Sequence, residues 1–100
     1  MFRNRRALTL QEAEALAAQG LAFLAEDTAR LGGFLATTGV APNEIRELVN
    51  TPQFLAAVLD HLTRDESLLL VFAANASIAP EAIAPALALL QQASGAAGRS

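Results

Sequence analysis

The chain has 100 residues, no cysteine, one histidine and a net charge of −3. That length suits one domain that buries roughly 60–65% of the surface its unfolded chain exposes, with no need of a disulfide or metal. The composition excludes thiol chemistry and an imidazole cluster for a transition metal, and no apolar run approaches the roughly 18 residues of a bilayer span.

Charge is unevenly spread. Arg3, Arg5 and Arg6 supply three of the seven basic residues, lysine is absent, and ten acids face only four arginines in the rest of the chain. Residues 1–8 therefore read as a flexible basic arm on an acidic domain spanning 9–92, with 93–100 as a frayed tail. The N-terminus lacks the long apolar stretch of a secretory signal, so a cytoplasmic setting is expected.

Thr9 with Glu12 three residues on forms a capping box for the first helix, whose Leu10, Ala13, Ala17, Leu21 and Leu24 recur at helical spacing. Gly20 costs that helix about 1 kcal/mol relative to alanine unless another backbone crosses closely there. A second helix starts near Asp27, turns Leu31, Phe34 and Leu35 inward and stops at Gly39. Pro42, at a first helical position, opens a short third helix through Val49.

Thr51 and Pro52 start a helix to Leu62, and Thr63 with Glu66 reads as the capping box of the next. Leu68 to Ala74 is apolar on every side, so this fifth segment is expected in the middle of the bundle. Pro80 starts the last segment. Pro85 would clash with the Glu81 carbonyl in a continuous helix, so a break and a final helix over 85–92 are expected. No segment alternates with period two, which leaves an all-α bundle of five to six short helices. Glu26–Arg30 and Asp60–Arg64 are spaced to form ion pairs within a helix.

Residues 18–45 and 56–83 echo one another at an offset of 38, with ten identities in twenty-eight positions, among them Leu24/Leu62, Asp27/Asp65, Phe34/Phe72 and Pro42/Pro80. Chance would supply roughly three in so alanine-rich a chain. The echo implies two three-helix units packed face to face. It names no chemistry, because the shared positions are apolar or punctuating.

Leu31 to Leu48 has the cadence of a helix-turn-helix corner, with Gly39 in the turn. A recognition helix needs basic and amide groups outward, and the outward candidates Asn43, Glu44, Arg46, Glu47 and Asn50 include two carboxylates. DNA reading is therefore disfavoured, though Arg3, Arg5 and Arg6 with Phe2 could reach phosphates and a base. His61 beside Asp60 suggests a dyad, but no nucleophile lies near it in sequence, and its counterpart Phe23 points to a packing site. Glu26/Asp27 and Asp65/Glu66 lie at helix starts, where acids cap, so a metal site is not expected. Glycine spacing fits no phosphate loop. Gly32-Gly33 stands where the second unit has Leu70-Val71: either another helix crosses closely there, or a shallow groove admits a partner's side chain.

The blocks F-L-x-x-T-G-x-x-P at Phe34–Pro42, P-x-F-L-x-x-V-L-D at Pro52–Asp60 and E-x-L-L-L at Glu66–Leu70 resemble a bacterial, mainly alphaproteobacterial family, domain of unknown function number 3572. The similarity covers roughly residues 10–92, implies a bacterial cytosolic setting and carries over no functional residue.

The expected function is a protein-interaction or self-association module, with a protein partner or a second copy. The alternative is a nucleic-acid accessory protein using the arginine arm. No catalytic residue, cofactor or metal is expected; the candidate contact residues are Arg3, Arg5, Arg6, Gly32, Gly33 and His61.

Overall fold

The structure, a computed structural model, describes residues 8–98. Six helices follow in order: α1 (Leu10–Ala25), α2 (Thr28–Thr38), α3 (Ile45–Leu48), α4 (Pro52–Thr63), α5 (Glu66–Ala76) and α6 (Ile83–Gly98). Single 3-10 turns, Pro42–Glu44 and Pro80–Ala82, lead into α3 and α6. Among the described residues there is no strand, as the lack of period-two patterning requires. No single helix among them is long and apolar enough to cross a membrane.

Helix starts follow local chemistry. Thr9 Oγ1 accepts the Glu12 amide at 3.0 Å while Glu12 Oε1 accepts the Thr9 amide at 2.9 Å, completing the expected box. Asp27 caps α2 by accepting the amides of Ala29 and Arg30. Pro42 and Pro52 both occupy first-turn positions, where no N–H is missed. Gly39 ends α2 in the left-handed region at φ 76°.

The cap of α5 differs from expectation. Thr63 is the last residue of α4, and its hydroxyl donates to the Asp60 carbonyl at 2.8 Å. Asp65 caps instead, extended at φ −130° and accepting the Leu68 amide at 3.1 Å. The spacing from an N-cap candidate to an acid fits Thr63–Glu66, but the match of Asp65 to Asp27 points to the right residue.

The centre of the bundle is α4, which packs against α1, α2, α5 and α6, while α6 also lies along α1. Phe54, Leu55, Val58, Leu59 and Leu62 of α4 are all buried, and among the residues that close over them are Leu16, Phe23 and Leu24 of α1, Phe34 of α2, Phe72 of α5 and Ile83, Ala86 and Leu90 of α6. Helix α5 does not run through the middle. Only Phe72 and Ala73 of it are buried, and Leu70 and Val71 remain 48% and 44% exposed. A helix apolar all round carries no angular signal, so its sequence could not say which side faces in.

Pro85 breaks nothing. It sits in the first turn of α6, where amides lack intrahelical acceptors in any case, and Glu81 lies in the preceding 3-10 turn. The helix therefore runs to Gly98, beyond the expected end at Gln92. Leu8, expected in the arm, is partly buried against the core. Gly20 meets side chains rather than backbone: a Cβ there would lie 3.0 Å from Leu62 Cδ1 and 3.2 Å from Val58 Cγ1.

Candidate functional site

The candidate residues fall in separate places. Arg3, Arg5 and Arg6 lie outside the described residues. Gly32 and Gly33 sit on the outer side of α2, and a Cβ at either would have nothing within 4 Å. The close helix crossing that would explain them is therefore not there, and the surface at this point is flat and open. Thr37 and Thr38 follow on the same helix, their hydroxyls donating back to the Gly33 and Phe34 carbonyls.

At the matching place on α5 the relief is reversed. Leu70 and Val71 stand out from the helix, and Ser67 and Ala74, one turn to either side, are also exposed. Spacings of three and four residues put these side chains on one stripe. The stripe is apolar apart from the serine hydroxyl and belongs to a helix with few other uses for it.

His61 lies half-buried in the last turn of α4, its ring 5.3 Å from Phe34 and nearly perpendicular to it. The neighbouring carboxylate does not serve the imidazole. Asp60 Oδ2 accepts Arg64 Nε at 2.8 Å, with the Arg64 side chain largely in solvent and the Asp60 side chain partly so. His61 thus has the setting of an aromatic-packed ring at the edge of the core, as its match to Phe23 suggests. Phe23 in turn packs on Phe72, with ring centroids 5.4 Å apart. Among the described residues Arg30 forms no ion pair with Glu26; its guanidinium lies 4.5 Å over the Phe23 ring. An exposed salt bridge contributes little, and a cation over an aromatic face competes readily with it.

Three surface clefts contain no converging set of titratable groups. One of about 560 Å³ is lined by Gln19, Ala22, Phe23, Glu26, Asn75 and Ala76, with a single carboxylate. A second, about 260 Å³ and mostly apolar, opens between the end of α2 and the start of α4, around Val40, Leu48, Phe54 and Ala57. The third, about 730 Å³, is open along α3 and includes Arg46 and Glu47. Among the described residues no group of three His, Asp or Glu side chains could hold a metal ion. Asp27 and Asp65 are occupied with helix amides, as their positions imply.

On the corner that resembles a DNA-binding turn, Asn43, Glu44, Arg46, Glu47 and Asn50 are all exposed. Glu44 is engaged locally, its Oε1 accepting the Ala41 amide at 2.8 Å. The outward surface therefore carries the mixed charge read from the sequence. Sequence reasoning did not single out Leu70 and Val71 as contact residues in their own right. An apolar helix with no polar side gave no sign of which residues would face out.

A family model described as a protein of unknown function (DUF3572) matches residues 10–93. The chain belongs to the DUF3572 family. The match runs from the start of α1 into α6, so the helical domain is what DUF3572 describes. No curated protein and no solved structure matches the chain.

Proposed function

We propose that this DUF3572 protein is a self-association module in which the raised stripe of α5 docks on the flat stripe of α2 in a second copy. The observation that carries this reading is the opposite relief at matched positions. Leu70 and Val71 are exposed on α5, while Gly32 and Gly33 on α2 have open space above them. Burying two aliphatic side chains of this exposure favours association by a few kcal/mol at most, so a weak and concentration-dependent complex is expected.

Sedimentation of the purified chain over a wide concentration range tests it. The mean mass should rise with concentration, and Leu70→Ser or Gly33→Leu should each abolish the rise while leaving the helical signal intact. A strict monomer at every concentration would remove the reading. The nucleic-acid alternative rests on the arginine arm and predicts binding that weakens with salt and with Arg3, Arg5 and Arg6 changed to alanine.

A further inference from the structure

The offset of 38 recurs in the backbone. Helices α2 and α5 are both eleven residues long and begin at Thr28 and Glu66. The N-caps Asp27 and Asp65 have φ of −132° and −130°, and the C-caps Gly39 and Ser77 both lie in the left-handed region at 76° and 57°. The 3-10 turns that follow begin at Pro42 and Pro80. Matched elements alone are compatible with any spatial relation between two copies, including a simple side-by-side stack.

The ring contacts decide between them. Phe23 packs on Phe72, and His61 packs on Phe34, at centroid separations of 5.4 and 5.3 Å. Position 61 is the match of 23, and 72 is the match of 34. The two contacts are therefore one contact made twice, in opposite senses: the first unit gives its α1 position to the second unit's α5, and receives the reciprocal contact in return. In a stack or screw, the second copy would pass its contact on to a third. Only an operation that returns to the start after two steps closes the pair, and for two protein units that is a half-turn.

A position that meets its own match lies close to such an axis. Gly20 and Val58 are matched positions, and a Cβ on Gly20 would fall 3.2 Å from Val58 Cγ1. This is the crossing of α1 and α4, the helices that the half-turn would exchange. A glycine on one side and a valine on the other allow that close approach at the axis.

We infer that the domain is a homodimer fused into one chain, its two helical units related by a half-turn through the Gly20–Val58 crossing, so that the partner each unit's inner face fits is a copy of itself. This inference stands apart from the docking of α5 on α2 and survives its failure. The half-turn holds for α1, α2 and their matches α4 and α5, and ends at the last helices: α6 lies along both α1 and α4, whereas its match α3 gives way after Leu48 to the Thr51–Pro52 start of α4.

Pulsed electron spin resonance on the full chain tests the symmetry, since the protein has no cysteine to interfere with labelling. A half-turn requires the distance between labels at Glu26 and Leu70 to equal that between labels at Gly32 and Arg64. It likewise requires Ala25 to Ala74 to equal Ala36 to Thr63. All eight sites are exposed. Equal mean distances in both sets are the expected result. A difference within either set larger than the spread of a single label would overturn the half-turn, and if one doubly substituted chain fails to fold, the other set decides.

Discussion

Phe34 meets His61 edge-on, its ring at 73° to the imidazole, while its other neighbour Phe54 lies 5.7 Å away at 71°. Phe34 is the one fully buried residue of α2, with Leu31 and Leu35 partly buried against the core beside it, so this ring is the helix's deepest anchor. Truncating Phe34 to alanine should cost about 3–5 kcal/mol. The His61 contact accounts for about 0.5–1.5 kcal/mol of that. A double-mutant cycle of Phe34→Leu with His61→Ala should return a coupling of that size. With no tryptophan or tyrosine in the chain, unfolding in urea is best followed by far-UV circular dichroism.

The two candidate caps of α5 should separate cleanly. Asp65→Ala removes the acceptor of the Leu68 amide and should cost about 1 kcal/mol, lowering the melting temperature by about 4–8 °C for a domain of this size. Thr63→Ala removes only a hydroxyl bonded to the Asp60 carbonyl at the end of α4 and should stay within about 0.5 kcal/mol of the parent. A larger loss for Thr63→Ala than for Asp65→Ala would reverse the cap assignment.

Alanine at the helix glycines should divide them by neighbour. At Gly32 and Gly33 the new methyl meets open space, so each change should stabilise by about 0.5–1 kcal/mol through helix propensity. At Gly20 it meets Leu62 and Val58, neither of which is exposed to solvent, and overpacking of about 1–3 kcal/mol outweighs the same gain. Thermal melts of the three single variants give the signs directly.

The two left-handed C-caps predict opposite changes. Ser77 holds φ 57° with a side chain that disfavours it, so Ser77→Gly should stabilise by about 0.5–1 kcal/mol. Gly39→Ala places a Cβ at φ 76° and should destabilise by about 1–2 kcal/mol. Opposite shifts of the urea midpoint, the larger one for Gly39→Ala, are the expected pattern.

Much of the local structure was legible in the residues, because capping and turn chemistry act within one turn of backbone. Thr9 with Glu12, Asp27, Gly39, Pro42 and the Thr51–Pro52 pair each mark an element boundary that the structure bears out. The all-α class and the membership of DUF3572 were legible for the same reason, since both rest on periodicity and short motifs. Tertiary packing decided the rest. Helix α5 has no polar side, so only its neighbours could show that Phe72 and Ala73 face in while Leu70 and Val71 face out. Gly20 and Gly32 look alike in sequence, yet one lies under α4 and the other lies in the open. The contact of Phe34 with His61 joins residues whose separation along the chain carries no local signal, and whether that contact has a reciprocal is a property of the whole fold.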